Sequence, residues 1–348
     1  MIKKLLLVVP ALMVLAFFLI FGGHAESLFS LMPGIHSQVL KKFESPDGRL
    51  TAILTSKWRL GLGLPVAEPP KTTARWARLQ IVRDHTMVYD SGDEPLNVYQ
   101  MSPELALDLV WSPDSSRLAY RYITRLRIID AAGKVTNHEP PEAESSITCF
   151  KWIDNRSLTV VAKQGGISSF GGGATHFRGY TEQATAIWIG RLDPAAGYEK
   201  LHQQALKKPT FLFHAVDFEV EEISPKGDKV AFSDGTDFCV FDLTTKRIVA
   251  KFVVPQKKDR TPDPAALAGD KDSRKFVMET AAQPGELEGL WWQDNDRVLM
   301  GVGLMGNYIH SFHSYDCTTK EVSDRTARLQ PVWDRSYKNP NWFRAADP

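Results

Sequence analysis

The apolar residues of this chain come in short bursts separated by turn residues, most clearly at 107–136, LDLVWSPDSSRLAYRYITRLRIIDAAGKVT. An apolar run ends on Trp111, and Ser112-Pro113-Asp114 reads as a tight turn. Pro presets φ at about −65° there, and Ser can hydrogen-bond its own backbone. Strands follow from Arg117 to Tyr122 and from Leu126 to Ile129. A second turn at Asp130 and Gly133-Lys134 leads into a short outer strand. The stretch predicts one small four-stranded antiparallel sheet.

The same plan recurs along the chain, and internal repeats decide a fold more than any single motif. A first repeat starts at FESPDGRL (43–50), resumes at Arg78 to Val82 and turns at Asp84-His85. The second is 107–136. A third runs from Ile147 through Trp152-Ile153-Asp154-Asn155 to Leu158–Val161, then from Ala186 to Ile189, turning at Asp193-Pro194. The fourth holds ISPKGDKVAF (223–232) and FCVFD (238–242). The fifth holds LWWQDN (290–295), RVLM (297–300) and the turn at 316–320. A large apolar residue precedes the first turn in four repeats, at Trp111, Trp152, Ile223 and Trp292, as sheets packed face to face require. An Asp marks the second turn at 84, 130, 193, 242 and 316, where a structural role as acceptor of local backbone hydrogen bonds is expected, not catalysis.

SPDG, WSPDSSRLAY and SPKGDKVAF resemble the WD40-like (PD40) repeat of TolB-like β-propellers, over roughly residues 43–325. The resemblance implies an all-β fold, a β-propeller of four-stranded antiparallel blades round a central channel. Five units are recognised, and the span has room for five to seven of about 43 residues. Further strands are candidates at 211–218 and 276–279. The extra α/β domain of TolB itself has no counterpart between the export segment and the first repeat, which argues against TolB's own role.

Repeat length carries the functional expectation. The two turns are close in the second repeat (Pro113 to Asp130) and the fourth (Pro225 to Asp242). They lie farther apart in the first (Pro46 to Asp84), third (Asp154 to Asp193) and fifth (Asp294 to Asp316), with the excess between second and third strands. In an up-and-down blade that connection leaves on the same side as the blade-to-blade links, so every elaboration falls on one face. Loops on a rigid scaffold are where recognition usually resides. The candidate partner-binding residues are Trp58, Arg59 and Leu62 in the apolar stretch 56–76, and His176, Phe177, Arg178 and Tyr180 in the glycine-rich stretch 164–185. Residues 256–275 read as a solvated, charged surface loop. The aromatic tail 326–348, with Trp333, Tyr337, Trp342 and Phe343, is expected to pack against the propeller.

Composition alters this picture in two places. Forty-two Lys and Arg balance 41 Asp and Glu, for a net charge of +1, so nucleic acid is not an expected partner. The N-terminus, with Lys3-Lys4 ahead of an unbroken apolar run from Leu5 to Phe21, reads as an export segment over 1–25. A cleaved signal peptide and an uncleaved transmembrane signal anchor both fit it. Either places the rest outside the cytoplasm, periplasmic or membrane-tethered, with 26–42 as a linker. Three Cys, at 149, 239 and 317, match no zinc or redox spacing.

The catalytic motifs sought are missing: there is no GxSxG and no HExxH, and His310 with His313 lacks a third ligand. The Gly-rich stretch lacks the GK[ST] of a phosphate loop. No cofactor, metal or catalytic residue is assigned. The expected function is an exported, non-enzymatic β-propeller binding a protein or cell-envelope partner. The alternative is a glycan-active hydrolase with carboxylates at the channel mouth, for which Asp108 and Glu222 are candidates.

Overall fold

The computed structural model describes residues 34–60, 72–95, 109–122, 125–143, 145–170, 179–211, 221–254, 286–304 and 308–336. The export segment 1–25, Asp108, all but Phe211 of the proposed strand at 211–218, the proposed strand at 276–279, the loop 256–275 and residues 337–348 lie outside them. Among the described residues no helix is long and apolar enough to cross a membrane.

The five expected repeats appear as five antiparallel sheets, each with its strands hydrogen-bonded in sequence order. The first holds β1 (Gly34–Glu44), β2 (Leu50–Leu60), β3 (Thr72–Arg83) and β4 (Thr86–Asp90), with a short β5 (Glu94–Pro95) also pairing β3. The second holds β6 (Leu109–Trp111), β7 (Arg117–Tyr122), β8 (Arg125–Asp130) and β9 (Val135–His138). The third holds β10 (Ser145–Trp152), β11 (Leu158–Phe170), β12 (Gly179–Asp193) and β13 (Gly197–Phe211). The fourth holds β14 (Glu221–Ile223), β15 (Lys229–Ser233), β16 (Asp237–Asp242) and β17 (Arg247–Val253). The fifth holds β18 (Glu286–Trp292), β19 (Arg297–Leu304), β20 (Tyr308–Asp316) and β21 (Val322–Asp324), and helix α1 (Thr326–Ser336) follows. The chain divides into two compact units, Met1–Glu104 with the first sheet and Leu105–Pro348 with the other four.

One boundary differs from the sequence reading. β1 starts at Gly34, inside the stretch expected as linker, because β2 runs out to Leu60 and Gly34 pairs with it. The chemistry of the first turns follows expectation. Ser45, Ser112 and Ser224 each accept the N–H of the residue five along and donate to Asp47, Asp114 and Asp228. At the second turns Asp130, Asp193, Asp242 and Asp316 accept one or two backbone N–H groups just ahead of them. Asp84 departs from that rule. It and His85 take left-handed φ values of 45° and 66°, so this hairpin is closed by backbone conformation.

Inside the Leu105–Pro348 unit, alternation along each strand gives every inner sheet two apolar faces. Ala119, Leu126 and Ile128 of the second sheet pack on Phe150, Trp152, Leu158 and Val160 of the third. Val161, Ile187 and Ile189 point the other way, onto Ile223, Val230, Phe232 and Phe241 of the fourth. Phe238, Val240 and Ala250 of the fourth meet Leu290, Trp292, Val298 and Met300 of the fifth. Each fully buried Val, Leu, Ile, Phe or Met among them is worth about 1.5–3 kcal/mol relative to exposure. The far face of the fifth sheet is covered by α1, whose Leu329 and Trp333 pack on Trp291, Leu299, Ile309 and Phe312.

The tryptophans before the first turns add a directional bond to this packing. Trp152 Nε1 donates to Val110 O, and Trp292 Nε1 donates to Glu222 O, each at 3.0 Å. Both indoles thus reach from one sheet's first strand to the first strand of the sheet before it. Ile223 fills the equivalent place in the fourth sheet by bulk alone.

Lys320, in the last turn, sits at φ 64°, where a side chain costs about 1 kcal/mol relative to glycine. Lys320→Gly is therefore expected to raise the thermal unfolding midpoint. A midpoint that stays put or falls would contradict the left-handed geometry of that turn.

Candidate functional site

The sequence places its functional candidates in loops, and here the structure differs. β2 and β3 of the first sheet carry the chain outward as paired strands, with Trp58 opposite His36 and Arg75, and Arg59 opposite Ile35 and Ala74. In the third sheet Gly165-Gly166 lies within β11, which pairs with β12 as far as Phe170↔Gly179. Tyr180 belongs to that ladder, opposite Ser169. β13 accompanies the pair outward, with Gln183 opposite Phe211. The described part of the excess length is thus spent on arms of sheet, with backbone groups satisfied by pairing rather than by water. Leu62, His176, Phe177 and Arg178 lie outside the described residues, beyond the ends of these strands. Trp58 and Arg59 belong to one compact unit and Tyr180 to the other.

At the base of the third-sheet arm are charges that the sequence reading passed over. Lys163 follows Val161 by two positions on β11 and so faces the fourth sheet, while Glu221 precedes Ile223 by two on β14 and faces the third. Their ammonium and carboxylate meet at 2.6 Å with both side chains 2% exposed. A buried pair of this kind costs desolvation, but removing one partner costs far more.

A second cluster ties β13 to the β15–β16 turn. Lys207 donates its backbone N–H to Asp234 O at 2.7 Å, and its ammonium bonds Asp237 at 2.5 Å. Lys251 of β17 bonds Asp234 at 2.9 Å. Both aspartates are buried, and both lysines are about half exposed. Burial works against the charge on Asp234, yet the N–H of Asp237, the Lys251 ammonium and the N–H of Thr236 together hold its carboxyl below the usual range. The hydrogen bond to Asp237 in turn raises Lys207.

A second buried cation joins the second sheet to the third. Arg121, 4% exposed at the end of β7, donates from Nη1 to Thr148 O at 2.7 Å and to Ile147 O at 3.3 Å. β10 has a bulge between Ile147 and Cys149, which frees those carbonyls from the ladder.

The carboxylates of these clusters are each held by a cation or a backbone N–H. Glu222, a sequence candidate for acid catalysis, accepts the backbone N–H of Trp292 through Oε2. Glu221 is engaged by Lys163, and Asp234 and Asp237 by lysines. Among the described residues no group of three or more His, Cys, Asp or Glu could hold a metal ion. Cys239 and Cys317 are free and buried, and burial pushes their thiols up to about 12 and about 11, away from reactivity.

No family model matches the chain, and no curated protein matches it. Solved structures similar to it include a puromycin-hydrolysing peptidase of Mycobacterium tuberculosis (15% identity, 83% of this chain and 38% of that one, TM-score 0.40). Others are hydrazine synthase of Kuenenia stuttgartiensis (11%, 81% and 64%, 0.41) and the WD40 domain of SCAP from fission yeast (11%, 84% and 57%, 0.39). The chain spans less than two thirds of the length of each of these three. All three TM-scores fall below 0.5.

The Lys163–Glu221 pair generates a double-mutant test. Lys163→Met alone strands a buried carboxylate and is expected to cost about 3–5 kcal/mol in urea unfolding. Lys163→Met with Glu221→Leu should recover most of that loss. A double variant as unstable as the sum of the singles would show that the two charges are not coupled.

Proposed function

We propose that this protein is a non-enzymatic scaffold of the β-propeller class, exported by its 1–25 segment, that binds a protein or cell-envelope partner through the arms of its first and third sheets. Trp58, Arg59, Leu62, His176, Phe177, Arg178 and Tyr180 are the proposed contacts. The observation that carries the reading is the third-sheet arm. β11, β12 and β13 run on together past the point where the second and fourth sheets have already turned. Their base is anchored to the fourth sheet by a buried ion pair and by the Lys207 contacts. Strands paired with one another and fixed at their root have little ordering entropy left to lose when a partner binds beside them, which favours binding. The reading is also supported by the engagement of Glu221, Glu222, Asp234 and Asp237, which leaves these carboxylates poorly placed for hydrolysis.

Gly165 and Ala184 are cross-strand partners, so an Asn-Gly turn can join them and remove the arm's outer part while keeping the sheet. Crosslinking and pull-down from envelope fractions should then recover a partner with the wild type and lose it with the shortened protein. An unchanged set of captured proteins would take the arm out of the binding surface.

A further inference from the structure

The largely apolar joint between the fourth and fifth sheets holds two buried polar atoms with no hydrogen-bond partner among the described residues. Ser311 and His313 alternate on β20 and therefore share a face, opposite Val302 and Met300 of β19. Met300, Val302 and Tyr315 belong to the cluster that meets Phe238, Val240, Ala250 and Val254 of the fourth sheet. Ser311 is 2% exposed and His313 7%, and neither Ser311 Oγ nor His313 Nε2 has a hydrogen-bond partner. A neutral imidazole is tolerable in such a place; an imidazolium, with two donors and a full charge, is not. We propose that His313 makes the joint between the fourth and fifth sheets acid-sensitive, holding it closed while neutral and prising it apart when protonated.

The groups around His313 decide whether the charge finds relief. β19 offers Val298, Met300 and Val302, and the fourth sheet offers Phe238 and Val240 from β16 and Ala250, Phe252 and Val254 from β17. Of the charged residues on those two strands, Asp237 and Lys251 alternate onto the other face and are engaged with each other and with Lys207 and Asp234. Asp242 and Arg247 pair at the turn, where Asp242 accepts the N–H groups of Thr244 and Thr245. β18 contributes Leu287, Leu290 and Trp292, together with the buried Glu288. On β20 itself Tyr315 stays neutral, its hydroxyl raised to about 12 by burial and by nearby Cys317 and Asp316. Asp324 lies opposite His313 on β21, an edge strand that is exposed along its length. Burial lowers the imidazole and Asp324 acts the other way, but burial prevails.

The sign follows from linkage. The unfolded chain takes up this proton at pH about 6.5, the folded one only at lower pH. The contribution is absent above the unfolded value, and stability is lost as pH falls below it, until the folded value is reached. Between the two values the folding equilibrium shifts by up to about tenfold per pH unit.

The test is thermal and urea unfolding of the full chain from pH 7.5 to 5, with hydrogen exchange corrected for its intrinsic pH dependence. The wild type should lose stability across that range, with protection falling first in β19 and β20 while β7 and β8 keep theirs. His313→Phe should remove this local loss, and His138→Phe, at the other histidine lowered by burial, should not. If the phenylalanine variant does not fold, His313→Gln supplies an amide that is uncharged throughout. At pH 7.5 Ser311→Ala should leave the midpoint unchanged or raise it, and a fall would overturn the premise that this hydroxyl is unpaired. The proposal is overturned if the wild type shows no acid loss, or if either His313 variant loses β19–β20 protection as the wild type does.

Discussion

A four-stranded sheet that is apolar on both faces cannot stand alone in water. Val160 and Val161 are neighbours on β11, yet one packs toward the second sheet and the other toward the fourth. That single alternation commits the third sheet to a partner on each side. The same demand passes along the Leu105–Pro348 unit until it reaches the fifth sheet. There α1 ends it by laying Leu329 and Trp333 over the last apolar face. Hydrophobic burial is non-directional, however, and would tolerate sheets sliding over one another. The indole bonds from Trp152 to Val110 and from Trp292 to Glu222 supply the direction that burial lacks. They fix first strand against first strand.

Much of this was legible because it is written in local residue types. The serines at the first turns (45, 112 and 224) and the aspartates at the second (130, 193, 242 and 316) specify turns through bonds to backbone atoms a few positions away, so between them they mark the five sheets with no knowledge of the tertiary fold. Asp84 was misread because a two-residue hairpin can be closed by φ alone, without the carboxylate. The indole bonds were half visible: bulk before the turn was expected, but the acceptor is a carbonyl of the preceding repeat.

The arms and the ions were not legible, for one common physical reason. Gly165-Gly166 and the small polar residues after it have low β-propensity, so the stretch reads as loop. Pairing on both sides of β12 overrides that preference, and pairing is a long-range property. Likewise Lys163 closes the apolar run of Leu158 to Ala162, where a strand would be expected to end. Only the approach of Glu221, from a different sheet, makes a buried lysine tenable there. One local signal was available: a lysine at a position whose parity already points inward.

The two ends of the sheets live under different constraints, and this accounts for where the chain has grown. At the tight-turn end, neighbouring sheets are bonded turn to turn. Thr159 Oγ1 donates to Gly227 O at 2.6 Å, and Asn295 accepts the N–H of Lys226 while donating to Asp228. Lys229 adds bonds to Asn295 O and Asp296. Gly227 holds φ 76° in the middle of this contact. An insertion in any of these turns would displace an atom that a second sheet is using. At the opposite end of the third sheet β11 and β12 run on as one paired ladder as far as Phe170↔Gly179. Once lengthened, the arm needs its own attachment, and Lys163–Glu221 with Lys207–Asp237 provides it at the root. One end of the stack is thus tied turn to turn, while the extensions of β11, β12 and β13 fall at the other and carry an anchor of their own.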